Sequence, residues 1–445
     1  MMQFLIAAPC SGSGKTTVTC AVLAALKQRG ADPCAFKSGP DYIDPMFHRS
    51  ALQVDSHNLD LFFAAKDTIR ALYTRYAAGH GAAVCEGAMG FYDGQGLTTR
   101  ASAWELADTL SLPVLLVVQP KGASMTLAAQ VQGLVHFRKN SHIAGILLNS
   151  CSEKLYKMLK ALLEAETGLP VLGYLPRLPQ AAVESRHLGL KTANEIADIQ
   201  QKIALLADSL VLDWEKLAEI AGKPEAVSVP YIASGHAPIA RIAVAQDEAF
   251  CFTYAETLDA LRDAGAELVF FSPVRDAALP QNIGGLYLPG GYPELYAKQL
   301  SENADLRATI RQAVNAGLPT AAECGGFLYL GQSLADAEEK SWPMAGVLPG
   351  DGVKVGRLVR FGYAEMTAKA DSMLFRAGES LPVHEFHHWD STANGTAFTA
   401  CKNEKMQWEC GFANENFYAG FPHLYWAGTP LPGRFVCAAE HYTRG

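Results

Sequence analysis

A chain of 445 residues, 49% hydrophobic and 18% charged, has room for two or three domains, each with its own core, and is not an intrinsically disordered composition. The formal charge of −8, from 37 Lys and Arg against 45 Asp and Glu, gives no global attraction to nucleic acid or to an anionic membrane, so neither is expected as a partner. The cysteines at 10, 20, 34, 85, 151, 251, 324, 401, 410 and 437 form no CxxC pair or even framework, which fits a reducing cytosol.

The opening "MMQFLIAAPCSGSGKTT" has neither the basic n-region nor the long apolar h-region of a secretory leader. The longest apolar run, "PVLLVV", falls far short of the roughly 20 residues that span a bilayer. A cytoplasmic protein is expected. The apolar runs "FLIAAP", "AAVCEGA", "PVLLVVQP" and "IAGILLNS" are predicted strands buried on both faces. Helix-period segments such as "KTTVTCAVLAALKQRG" separate them and end on Gly. That alternation predicts βαβ units and a parallel sheet. From about 195 the text turns helical, then rich in Pro, Ser and Gly in "KPEAVSVPYIASGHAP", so 196–238 is the expected helical segment and linker. At 240 the rhythm restarts with "RIAVAQD", "YAETLDALRDAGA" and "ELVFFSPV", and 350–410 adds β-rich text. Two tandem open α/β domains, 1–195 and 239–445, are the expectation.

"FLIAAPCSGSGKTTVTCAVLAAL" sets a loop of small residues between a strand and a helix. Gly12, Ser13 and Gly14 let backbone N–H groups wrap phosphates at a helix N-terminus. Lys15 supplies charge to the β/γ-phosphates of ATP, Thr16 a hydroxyl ligand to Mg²⁺, and Thr17 continues the helix start. Pro9 stands where the usual phosphate loop has its first Gly, and the strand–loop–helix context compensates. Cys10 stands where partition-type ATPases carry a signature Lys, which counts against that class. "KSGPDYIDPMFH" brings Lys37, Asp41 and Asp44 to the exit of the second strand, and "CEGAMGFYDG" brings Glu86 and Asp93 to the third. Carboxylates at the carboxyl ends of parallel strands sit where open α/β sheets bind ligands. Thr16, Asp41 and Glu86 are the candidate magnesium set. Asn149, closing "GILLNS", is a candidate contact for the nucleotide base. A solvated turn or cap is the equal alternative for any one of these Asp residues.

Cys324 lies in "TAAECGGF", small residues on both sides, between a predicted strand and helix. That is the frame of a nucleophile elbow. The Gly325 N–H supplies half of an oxyanion hole, and Gly290 and Gly291 of "LPGGYPE" the other half. His423 in "YAGFPHLYWAG" is the candidate base. Cys20 and Cys85, in mid-helix and mid-strand, are expected in the core. "PVHEFHHWD" spells the zinc-protease pattern H-E-x-x-H at His384, Glu385 and His388. Pro382 and the following "DSTANG" oppose the helix that pattern needs. On a strand the two His lie about 13 Å apart at roughly 3.3 Å per residue, so no zinc is expected.

Eight stretches in order, "APCSGSGKTTVT", "FKSGPDYIDPMFH", "CEGAMGFYDG", "ESRHLGL", "YLPGGYPELYA", "AAECGGFLYL", "HEFHH" and "YAGFPHLYWA", resemble the cobyrinate / hydrogenobyrinate a,c-diamide synthases of corrinoid biosynthesis. The resemblance covers nearly the whole chain. It implies a dethiobiotin-synthetase-like P-loop domain and a class I glutamine amidotransferase domain of flavodoxin-like build. Cys324 and His423 would hydrolyse L-glutamine. The ammonia would amidate side-chain carboxylates of a tetrapyrrole activated by ATP as acyl phosphates. Asp41, Tyr42, Ile43, Glu86 and Asp93 map onto the family's synthetase-site segments. Many class I amidotransferases carry Glu two residues after the His, where Tyr425 stands here. A Cys–His dyad is therefore implied, with Glu385 the candidate to orient His423. Nickel-sirohydrochlorin a,c-diamide synthase and cobyric acid synthase share the architecture, and "KSGPDYIDP" with "EGAMGFYDG" favours the diamide enzymes. A P-loop switch with a partner-binding second domain is the rival of another class, which an intact elbow opposes. A homodimer is compatible with the sequence.

Overall fold

The computed structural model describes residues 1–181, 199–222, 238–403 and 405–444. The stretch "ESRHLGL" and nearly all of "KPEAVSVPYIASGHAP" lie outside the described residues. The chain forms two compact units, Met1–Tyr231 and Ile232–Gly445.

The first unit is built on strands β1 (Met2–Ala7), β2 (Pro33–Ser38), β3 (Ser56–Leu59), β4 (Ala82–Glu86), β5 (Val114–Val118), β6 (Ile143–Asn149), β7 (Val171–Leu175) and β8 (Val211–Leu212). They lie in the order β3-β2-β4-β1-β5-β6-β7-β8. Every pair is parallel except β7 with β8. β2, β4 and β5 are buried throughout, as strands covered by helices on both faces must be. Their apolar runs were therefore continuous rather than alternating. β1 is central, so the loop leaving it opens at the point where chain connections diverge to either side. Helix Lys15–Gln28 buries Val18, Val22, Leu23 and Leu26 against the sheet. Cys20 and Cys85 are buried in the core, as expected.

The stretch expected to lead into a linker behaves otherwise. Helices Ile199–Ser209 and Trp214–Ala221 place Ile203, Leu206, Ala207, Leu217 and Ala221 in the same buried cluster as Val18, Val22 and Leu26. Between these helices β8 extends the sheet edge. An amphipathic helix is stable in water only when its apolar stripe is covered. The change in sequence rhythm near 195 thus marks the end of βα alternation, not the end of the first core.

In the second unit β9 (Ala240–Ala245), β10 (Ala266–Phe271), β11 (Gly285–Leu288), β12 (Thr320–Glu323), β19 (Phe412–Asn414) and β20 (Phe417–Gly420) form one sheet. Its order is β10-β9-β11-β12-β20-β19, parallel up to the β20/β19 edge. Ile242, Val244, Tyr287 and Ala321 face one apolar cluster, and Ala243, Leu286, Leu288 and Ala322 face another. Both faces are covered, with the strand period of two deciding which residue goes where. The β-rich text forms β13 (Ser333–Ala335), β14 (Ser341–Pro343), β15 (Asp351–Ala368), β16 (Ser380–Ser391), β17 (Phe398–Asn403) and β18 (Met406–Cys410), joined by β21 (His423–Leu424). Met366, Val383 and Phe398 of this second sheet pack in the cluster with Ile242 and Val244. Among the described residues no helix is long and apolar enough to cross a membrane.

If helix Ile199–Ser209 is structural, Leu206→Ala will lower stability by about 2–4 kcal/mol, the usual range for a buried Leu. Denaturant unfolding followed by far-ultraviolet circular dichroism measures it, and an unchanged midpoint would return the segment to a linker role.

Candidate active sites

Four strand ends of the first unit meet at the loop after β1. Gly14 holds φ +87°, and a Cβ there would lie 2.0 Å from Asn149 Nδ2, so only glycine lets the loop rest on that amide. Asn149 Nδ2 donates to the Ser13 carbonyl at 2.9 Å, joined by Gln119 Nε2 at 3.2 Å. Asn149 Oδ1 accepts the Ser150 N–H. The Asn149 amide thus braces the phosphate loop from the end of β6, where the sequence suggested a base contact. Ser13 Oγ closes the loop by donating to the Cys10 carbonyl at 2.9 Å. Gly12, Thr16 and Thr17 stand exposed at the mouth. Lys15 is buried and donates to the carbonyls of Cys10 and Met89. Burial and the nearby Lys37 charge hold its pKa below the ordinary lysine value.

Beneath the loop lies a charge cluster. Thr16 Oγ1 donates to Glu86 Oε1 at 2.7 Å and approaches Asp44 Oδ2 at 3.4 Å. Lys37 Nζ lies 2.6 Å from Glu86 Oε1, contacts Asp44 Oδ2, and is 3.8 Å from Asp41 Oδ2. Burial alone would lower the pKa of Lys37; Asp44, Glu86 and Asp41 outweigh it and hold the ammonium charged. Burial raises Glu86, with Lys37 opposing. Burial also opposes ionisation of Asp44, but Lys37 and the Thr16 hydroxyl overcome it and lower its pKa. Of the two aspartates, Asp44 is the one that reaches Thr16. Asp41 Oδ1 instead accepts the N–H groups of Ile43 and Asp44, capping the short helix Ile43–Phe47 that begins after Tyr42. Asp93 Oδ2 accepts the Gly90 N–H and closes its own turn. Glu86 Oε2 is buried with no hydrogen-bond partner among the described residues. An orphaned carboxylate oxygen beside a hydroxyl and a second carboxylate is a hard-oxygen set of the kind Mg²⁺ takes.

The second site lies at the carboxyl ends of β11 and β12. Cys324 has φ +47° and ψ −101°, a strained conformation for a residue with a Cβ and the mark of a strand-to-helix elbow. Its N–H donates to the Gly420 carbonyl at 2.8 Å, tying the elbow to β20. The neighbouring loop comes within backbone contact. A Cβ on Gly325 would lie 3.0 Å from the Gly291 nitrogen and 2.9 Å from Pro293 Cδ. A Cβ on Gly290 would lie 2.5 Å from His423 Cε1. Gly290, Gly291, Gly325 and His423 are thus brought together beside Cys324.

This pocket is dry. Burial, then Glu294 and Glu385, push the Cys324 thiol well above its ordinary value. Burial, then His384 and His387, lower His423 to about 3. Burial thus favours the uncharged form of each. His384 and His388 lie on β16, not on a helix. His384 pairs in register with His423 across to β21. The zinc pattern is a strand, as its flanks required.

Glu385 does not serve His423. Its Oε2 accepts from Arg360 Nε at 3.1 Å and contacts His387 Nε2 at 2.9 Å, and its Oε1 accepts from Trp408 at 3.1 Å. The carboxylate beside the imidazole is that of Glu323, with Oε2 at 3.9 Å from His423 Nδ1. The sequence signal was there, since Glu323 directly precedes the elbow, but nothing local says which strand face its neighbours line.

A phosphate-binding loop on one sheet and a cysteine elbow on another define a nucleotide-dependent enzyme with an amidase-type unit. Residues 4–190 match a family model described as a CobQ/CobB/MinD/ParA nucleotide binding domain, and residues 241–430 a CobB/CobQ-like glutamine amidotransferase domain. A cobyrinate a,c-diamide synthase of Caldanaerobacter subterraneus subsp. tengcongensis is 37% identical over 428 residues, covering 95% of this chain and 94% of the relative. Those of Clostridium acetobutylicum and Listeria innocua are 36% and 37% identical, covering 96% and 97% of this chain and 98% and 97% of theirs. The chain belongs to the cobyrinate a,c-diamide synthase family of glutamine-dependent carbon–nitrogen ligases.

Replacing Lys37 by Met strands Asp44 and Glu86 without their counter-charge. Breaking a buried pair in this way costs about 3–5 kcal/mol, so Lys37→Met should unfold at markedly lower urea concentration at pH 7; an unchanged midpoint would show that the cluster is not a buried ion pair.

Proposed function

We propose that the chain amidates the a and c side-chain carboxylates of cobyrinate or metal-free hydrogenobyrinate, using ATP and taking ammonia from L-glutamine. The observation that carries the reading is the Cys324 elbow pressed against the Gly290–Gly291 loop, which packs in turn on His423, on the same chain as a phosphate loop. A carboxylate is a poor electrophile at neutral pH. Phosphorylation by ATP supplies a leaving group, and the amidase unit supplies the amine that displaces it.

At the amidase site, His423 takes the Cys324 proton as sulfur bonds to the glutamine amide carbon. The carbonyl electrons move to oxygen, which the N–H groups of Gly325 and Gly291 receive. His423 then gives the proton to nitrogen, the C–N bond breaks and ammonia leaves. Water completes the cycle by hydrolysing the thioester to glutamate.

At the synthetase site, Gly12, Ser13, Gly14, Lys15 and Thr17 hold the phosphates. Thr16, Asp44 and Glu86 would hold Mg²⁺, which neutralises phosphate charge when bound. Asp41, Tyr42, Ile43 and Asp93, at the rim of the same strand ends, face the macrocycle's carboxylates. Ten free cysteines suit a reducing cytoplasm.

Cys324→Ala should cut glutamine-dependent amidation on the order of 10³-fold or more, while ammonium salts support synthesis at the parent rate. Product formation is followed with cobyrinate, hydrogenobyrinate and nickel-sirohydrochlorin in turn. Full glutamine-dependent activity in the variant would overturn the amidase assignment. Amidation of nickel-sirohydrochlorin alone, or of none of the three, would overturn the substrate.

A further inference from the structure

The amidase chemistry creates a charge that the pocket around His423 resists. When the imidazole accepts the thiol proton it becomes a cation, yet the side chain is 3% exposed. Gly290 packs against its ring, and His384 and His387 add only repulsion. A buried cation without a counter-charge is costly, so proton transfer would be slow unless an acid lies close by.

Resting on the amidase reading, we propose that Glu323, the residue immediately before the nucleophile, is the positioning acid that holds His423 and balances its charge. The geometry is specific. Glu323 Oε2 lies 3.9 Å from His423 Nδ1 and accepts the N–H of the next residue, Leu424, at 3.3 Å. Its Oε1 accepts from the Trp426 indole at 2.9 Å and from Tyr287 at 3.3 Å. Three donors on β11, β21 and the chain after it therefore fix one carboxylate beside one ring nitrogen. With Nδ1–H turned toward Glu323, Nε2 is the unprotonated nitrogen that can take the thiol proton. The separation is an ion-pair distance, longer than a hydrogen bond, and it gains strength as the cation forms in a dry site.

The topology explains why this acid comes from β12. Side chains alternate along a strand. Ala322 and Cys324 lie in one apolar cluster of the sheet, whereas Glu323 reaches Tyr287 and Trp426, members of the other. Burial raises the pKa of Glu323 to about 7, and the donors from Trp426, Leu424 and Tyr287 favour the ionised form. The titratable groups that feel its charge include Tyr287, Tyr418, Cys324 and His423.

Two variants of the full chain separate a charge role from a structural one. Glu323→Gln keeps an acceptor for Trp426 and Tyr287 but loses the charge, whereas Glu323→Asp keeps the charge on a shorter arm. If Glu323 acts through charge, the Gln variant loses about 10²-fold or more in kcat for glutamine hydrolysis. Its KM for glutamine and its ammonia-dependent synthesis hold at parent values, and the Asp variant retains a higher kcat than Gln. A Gln variant within tenfold of the parent, a loss carried by KM, or an Asp variant at or below Gln would overturn the proposal. Should the Gln variant fail to fold, the kcat-against-KM split of the Asp variant decides in the same way. Cys324→Ala is the control. If it still uses glutamine, the amidase reading has failed; if it does not while Gln matches the parent, only the role of Glu323 has.

Discussion

Backbone contact among the segments after β9, β11 and β12 is the constraint on which the Cys324 site depends. A Cβ on Gly326 would lie 2.1 Å from the Leu288 carbonyl oxygen, and one on Gly291 would lie 2.0 Å from the Ala249 oxygen. Neither neighbour is a flexible side-chain tip that could swing away. Any larger residue would force the loops apart, and the N–H groups of Gly291 and Gly325 would no longer converge. The same closeness buries Cys324 and His423. Burial also favours the uncharged forms of Cys324 and His423. One packing decision therefore reaches through to the chemistry.

The first unit solves a different problem with the same architecture. Its ligands gather at the carboxyl ends of parallel strands, but the mouth stays open, with Thr16 and Thr17 exposed. Beneath it lies a buried cation among three acids. Lys37 keeps Asp44 ionised despite burial, and the Glu86 oxygen that Lys37 does not engage remains unpartnered among the described residues. Asn149 shows how much of the site is scaffolding, because its amide fixes the loop that fixes the phosphates.

Much of this was legible from residues alone wherever chemistry is local. The phosphate loop is contiguous, and its small residues, Lys15 and Thr16 announce themselves despite Pro9. The elbow is equally compact, since small neighbours on both sides of Cys324 are what a tight turn needs. The zinc-like pattern at His384 lies on a strand, as Pro382 and the polar flank indicated. The choices between nearby acids were not legible. Asp41 and Asp44 are three residues apart, and only the short helix opened at Ile43 decides which one caps it and which one turns to Thr16.

Glu385 and Glu323 posed the same difficulty at longer range. Each is buried, and each belongs to a strand near His423. Which carboxylate meets the imidazole follows from sheet order and from the parity of side chains along β12 and β16. A strand alternates its faces with period two, so the sequence states that Glu323 and Cys324 point opposite ways but not what stands on either side. The sequence by itself determined the two α/β units, the phosphate loop and the elbow at Cys324, because each is set by propensity and spacing within a few residues. The tertiary structure decided which acid serves which partner, and that the helices after 195 complete the first core. Those contacts join segments far apart in the chain, and they form only once strand order and register bring them together.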